Sequence, residues 1–229
     1  MLRIVVALLV VPTLLATGCA RQKMVKTPEV QVAVLPEEGV PSNWRRVALA
    51  DDQKRLEAMP AIWSLALTEA AKLDTRAIVQ EGDLLRVDAA LPRPMPTPGL
   101  YRCRTIRLGL PAGAAPAKTR ALTRFKSFDC VVSDEKTLLG FTKVSGTHRP
   151  GGYLWPDGDK RMIFLGGTAD RDGEAASAYG ADNARNQAGV LERTGEFRWR
   201  LTLLGQPPAS RLEVMELVPA VAVPVPAPR

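Results

Sequence analysis

The sequence predicts a mainly β chain with N-terminal helices, an α+β fold whose β part closes as an eight-stranded antiparallel up-and-down barrel. A two-sheet β-sandwich is the alternative. Three observations lead there. Eight segments of strand character, near 100–108, 122–132, 136–144, 151–155, 161–166, 187–193, 196–204 and 211–218, follow one another with turn signals between them. An apolar stripe with helical spacing precedes them. Proline-rich stretches bracket the β region on both sides.

In chain order, residues 1–18 read as a lipoprotein signal peptide. Arg3 precedes an apolar run from Ile4 to Leu15, and Leu15-Ala16-Thr17-Gly18-Cys19 has the form of a lipobox. The run is shorter than the roughly 20 residues a spanning helix needs. A plain signal peptide and an uncleaved anchor are the competing readings. Cleavage before Cys19 leaves that residue as the new N-terminus, with acyl chains (palmitate among them) on its sulfur and amine, enough buried CH₂ for stable anchoring. Ala20 stands where Asp is the usual inner-membrane retention signal, which favours the inner leaflet of the outer membrane, facing the periplasm. Residues 19–46, with Pro28, Pro36 and Pro41 and no helical period, read as a flexible tether.

Residues 47–90 form the helical segment. Leu56, Met59, Trp63, Ala66, Ala70 and Leu73 recur at steps of three and four and share one face. Asp51 or Asp52 is placed to cap the start. Pro60 lacks an N–H for the carbonyl of Leu56, which predicts a kink or two helices with Pro60 in the first turn of the second. In 91–99 the alternating prolines fix φ and remove donors, so the segment is an extended connector. The β domain spans 100–219, and the proline-rich 220–229 is a tail.

Within the β domain, Trp155-Pro156-Asp157-Gly158-Asp159 is a tight hairpin turn with Gly158 at the left-handed position. Phe197, Trp199, Leu201 and Leu203 alternate inward against Arg198, Arg200 and Thr202 outward. Residues 168–186 are too polar for a strand and read as a long loop, with a short helix around Ala175–Tyr179. The helices are expected over one opening or one wall of the barrel. In an oxidising compartment Cys103 and Cys130 form one disulfide, which contributes roughly 3–4 kcal/mol if unstrained.

The net charge of +7 raises nucleic-acid binding. The basic residues are scattered and aromatics few, so no nucleic acid is expected, and most arginines read as solvated partners of Asp or Glu. Arg102, Arg104 and Arg107, with Arg198 and Arg200, are an anion-binding alternative. His148 is the single histidine, which rules out a histidine-rich zinc site. Ser145 with His148 resembles a nucleophile and base, but lacks a G-x-S-x-G elbow and an evident orienting acid. His148, Arg149, Gly151 and Gly152 are the candidate binding loop. Asp170, Asp172 and Glu174 fall short of a calcium-loop pattern. No catalytic, cofactor-binding or metal-ligating residue is assigned, and no cofactor.

Tyr101-Arg102-Cys103-Arg104, Ser145 to Gly152, Arg161 to Gly166, Arg198 to Leu201 and Val214 to Pro219, with the Trp63 helix upstream, resemble the proteobacterial family of domain of unknown function 4893, over roughly 45–219. The resemblance implies a small exported or lipid-anchored protein and supplies no catalytic residue. The expectation is a non-enzymatic envelope lipoprotein, attached to the membrane through lipid and binding an envelope protein or a small ligand. A periplasmic protease inhibitor and an enzyme acting on envelope polymers are the alternatives.

Overall fold

The computed structural model describes residues 43–110, 120–171, 173–205 and 210–220. The segment read as a signal peptide, Cys19 and most of the segment read as a tether lie outside them. The described residues begin within the range read as tether. Trp44, in a 3₁₀ turn at Trp44–Arg46, is buried and its Nε1–H donates to Asp157 Oδ1 at 3.0 Å.

Two helices follow, α1 (Ala50–Glu57) and α2 (Met59–Glu81). Pro60 lies in the first turn of α2, so the chain takes the two-helix outcome at that proline. The expected caps do not form. Leu49 occupies the N-cap of α1 with no side-chain bond, and Asp52 instead accepts from the Tyr179 hydroxyl at 2.6 Å. The stripe from Leu56 to Ala70 is buried, whereas Leu73 is 46% exposed. The cause lies one residue on. Asp74 leaves helical geometry (φ −158°, ψ 88°) and its Oδ1 accepts from the Ala77 N–H, restarting the helix on a new bearing.

The β domain has nine strands, β1 (Gly99–Leu108), β2 (Leu122–Arg124), β3 (Phe128–Glu135), β4 (Leu138–Lys143), β5 (Arg149–Pro156), β6 (Arg161–Ala169), β7 (Asn186–Gly195), β8 (Arg198–Leu204) and β9 (Leu212–Pro219). Neighbours pair antiparallel in chain order from β3 to β9, and β1 pairs with both β3 and β9. Eight strands therefore close an up-and-down barrel, which leaves no sheet edge along them. The sandwich alternative is not what forms. β2 is an extra piece on β1, and its register explains the segment read as one strand over 122–132. Cys103 pairs with Phe128 and Ile106 with Arg124, so three residues, Phe125 to Ser127, oppose two on β1. That is a β-bulge splitting one strand into β2 and β3.

Strand alternation sorts the apolar residues into two cores on opposite sides of one wall. Inside the barrel lie Tyr101, Cys103, Cys130, Phe141, Phe164, Trp199, Leu201 and Met215 among others. On the outer surface Ile106, Trp155, Ile163, Val190, Leu204 and Val214 pack against Leu56, Met59, Trp63 and Ala66 of the helices. The helices thus cover a wall, not an opening. Arg200 and Thr202 do point outward, yet both are buried beneath them. Arg200, 1% exposed, pairs with Glu192 at 2.7 Å, donates to the carbonyls of Leu84, Arg86 and Val87, and lies over the Trp63 ring. Phe197, read as inward, is 64% exposed because it falls in the β7–β8 turn. Residues 175–179 form no helix; Tyr179 instead accepts from the Leu49 N–H and donates to Asp52, tying this loop to α1.

Cys103 and Cys130 are bonded across adjacent strands inside the barrel, with Cα atoms 6.1 Å apart. The barrel end beyond them is sealed by the proline connector. The Trp199 Nε1–H donates to Pro94 O at 2.9 Å, the Tyr101 hydroxyl donates to Thr97 O at 2.6 Å, and Pro96 is buried.

Candidate functional site

The opposite end of the barrel, where β1 finishes and the β4–β5 and β6–β7 loops lie, is built differently. Thr105 and Arg107 continue the inward parity of Tyr101 and Cys103. On β9 Glu213 shares the parity of Met215 and Leu217, and on β4 Lys143 that of Leu139 and Phe141. Here the strand ends bring charges to the interior face. They surround a cavity of about 470 Å³ whose walls include Phe125, Phe128, Pro150 and Met215. A second cavity of about 320 Å³ adjoins it, sharing Arg107, His148, Pro150 and Glu213 and adding Thr168, Asp170 and Gln187. Their volumes lie at the small-molecule end of ligand sites, about 300–1,000 Å³.

The charges in this mouth differ in how they are satisfied. Arg107 donates through Nε and Nη2 to Glu213 Oε1, at 3.0 and 2.7 Å, and faces the Phe125 ring. His148 Nδ1 lies 2.9 Å from Asp170 Oδ1, joining the β4–β5 loop to the end of β6 across the rim. Lys143 has no carboxylate within ion-pair distance among the described residues. Its Nζ donates to the carbonyls of Thr147 at 2.6 Å and His148 at 3.2 Å, and sits 4.4 Å from the Phe128 ring centre. Burial pushes the Lys143 ammonium below its ordinary pKa; Glu213 opposes that shift and the Arg149 charge adds to it.

The residues singled out from the sequence separate at this point. His148 lines both cavities, at a left-handed φ of 46°. Arg149, Gly151 and Gly152 belong to β5 rather than to a loop. The Arg149 guanidinium is buried and donates to the carbonyls of Gly146, Arg171 and Glu174, clasping the two rim loops together. Gly152 opposes Gly166 on β6, where a Cβ would run into the Gly166 Cα and the Leu165 carbonyl. That close approach requires glycine at both positions.

Ser145 does not bond to His148 among the described residues; its Oγ accepts from the Asp129 N–H at 3.3 Å. Asp170 is the acid partner of His148 that spacing alone did not reveal. Glu174 accepts from the N–H groups of Asp170 and Arg171 and pairs with Arg185, which together hold its carboxyl down to about 2. Asp172 lies outside the described residues. Of the arginines grouped as one face, Arg102, Arg104 and Arg198 point outward and pair with Asp129 or Glu216, while Arg107 alone faces the cavity.

Lys143, Glu213 and the Phe125–Ser127 bulge went unread as site residues. Their signal was present as strand parity, because each charged residue stands two positions beyond an inward apolar one.

A family model described as domain of unknown function (DUF4893) matches residues 44–217, from the buried Trp44 to the inward Leu217 of β9. No curated protein and no solved structure matches the chain.

Proposed function

The chain belongs to the DUF4893 family, and from that premise we propose that it is a non-enzymatic binding protein of the bacterial envelope. It holds a small ligand in the loop-end cavity of its barrel. The observation that supports this reading is the asymmetry of the barrel interior. One end is filled by aromatic side chains and sealed by the proline connector, and the other keeps about 470 Å³ of apolar-walled space with charged groups at its rim. The lipobox ending at Cys19 supports attachment to the membrane by acyl chains, with the domain in the periplasm and the outer membrane as the favoured site. Residues 20–43 then separate the lipid from Trp44, a length of tether that lets the cavity meet diffusible or membrane-derived molecules.

The test is a titration of the full chain carrying ¹³C-methyl methionine. Met215 lines the cavity and Met162 lies in the sealed part of the interior, so they serve as site and control. Eight-carbon alcohol, carboxylate, sulfate and ammonium compounds are added in turn. Saturable movement of the Met215 methyl signal, with Met162 unmoved, is the expected result. A Met215 signal that follows none of the four overturns the reading. For the anchor, Cys19→Ser is expected to remove both the acyl mass from the mature N-terminus and the membrane association; retention of the protein in the membrane fraction defeats it.

A further inference from the structure

Resting on that reading, we infer that the ligand is an anionic amphiphile, an apolar body bearing a single acidic head group, and that Lys143 is the residue that receives the head. Three cations, Arg107, Lys126 and Lys143, line the larger cavity against one carboxylate, Glu213. Arg107 is already committed to Glu213 through two N–H groups. That leaves Lys126 and Lys143 without a counter-ion among the described residues, and of the two Lys126 is exposed on the bulge whereas Lys143 is half-buried at an inward strand position. An ammonium has three protons. Two of them are directed at the carbonyls of Thr147 and His148, and the third remains for an acceptor in the cavity.

The surroundings make that acceptor an anion rather than a neutral oxygen. Lys143 is partly desolvated, and a buried charge without a partner is unfavourable unless a ligand supplies the opposite one. Phe128 beneath the ammonium, with Phe125, Pro150 and Met215 on the walls, offers apolar surface to the body of the ligand. A group with acid at one end and hydrocarbon or aromatic surface at the other satisfies both parts of the site. The Phe125–Ser127 bulge supplies part of this wall. An extra residue in one strand displaces the Phe125 side chain to the cavity edge, where it stacks beneath Arg107.

The deciding experiment compares octanoate, octyl sulfate, octanol and octylammonium on the full chain, read at the Met215 methyl. Octanoate or octyl sulfate is expected to bind at least tenfold tighter than octanol, and octylammonium weaker than octanol. Which of the two anions binds better tells a planar carboxylate head from a tetrahedral oxyanion. Lys143→Met is expected to bring anion and alcohol within about twofold of each other, chiefly by weakening the anion, and Lys143→Arg to restore part of the preference. Should Lys143→Met fail to fold, the native protein still answers. Raising salt is expected to weaken the anions and not the alcohol. Equal affinity for octanol and octanoate, or a preference that survives Lys143→Met, overturns the anionic assignment and leaves the binding function standing. Failure of all four ligands removes the function itself.

Discussion

The two ends of the barrel interior are made from the same eight strands and the same inward–outward alternation, yet they reach opposite solutions. At the connector end Tyr101 and Trp199 meet edge to face at 6.0 Å, and their polar atoms are taken up by the carbonyls of Thr97 and Pro94. The segment whose prolines lack N–H groups, and which meets the sheet through a single bridge of Leu91 with Arg193, is the one that supplies those acceptors. At the loop end the inward positions carry Arg107, Lys143 and Glu213, groups that a packed interior does not absorb without partners. Closure of a barrel sets its diameter. What stands at the inward positions decides whether that diameter is filled or left as a site.

This contrast is breakable from the sealed side. Trp199→Ala removes the largest side chain of that end and orphans its bond to Pro94, and should lower stability by about 3–5 kcal/mol in urea unfolding. A loss under 1 kcal/mol would mean the connector does not seal a packed core. Next in size is the disulfide, which lies between the two ends. Replacing both Cys103 and Cys130 by alanine should lower stability by about 2–4 kcal/mol, with the barrel retained by circular dichroism. At the open end the expected cost is small. Lys143→Met should change stability by no more than about 1 kcal/mol, since it removes a desolvated charge whose carbonyl partners, on exposed Thr147 and His148, return to water. A loss comparable to that of Trp199→Ala would make Lys143 a structural residue.

The smallest effect concerns the rim. Glu174 is held at about 2 by Arg185 and two backbone N–H groups, below its ordinary value of 4.5. A depressed carboxyl stabilises the folded state above its unfolded pKa and loses that contribution as pH falls through the folded one. The β6–β7 loop contacts should therefore persist at pH 4 and be lost approaching pH 2, followed through the Glu174 carboxylate by NMR. The native protein titrating near 4.5 would show the clasp is not formed in solution.

Much of this was legible in the chain. The strand succession predicted the barrel, Gly158 takes the left-handed turn (φ 84°), and Pro60 separates α1 from α2. The cysteine pair joins neighbouring strands in the way an oxidised compartment suggested. The failures share a cause. Leu73 was misplaced because helical periodicity assumes one continuous helix, and the break at Asp74 rotates the face. Phe197 was misplaced because alternation holds only while the strand lasts. Arg107 was grouped with Arg102 and Arg104 by composition, although its odd position turns it to the other side of β1. The acid partner of His148 lies 22 residues on, at the end of β6, where no local pattern points to it.

The order of amino acids is enough for the local grammar: which segments are strands, where turns fall, where proline forbids pairing, and which residues share a parity. These follow from sterics and hydrogen bonding within a few residues. Packing in three dimensions settled which side of the wall the helices cover, that outward Arg200 is buried, that the proline connector seals one end, and that Lys143 has no counter-ion among the described residues at the other. Those outcomes depend on barrel closure, because closure turns one face of every strand into a single enclosed space and so makes distant inward residues neighbours.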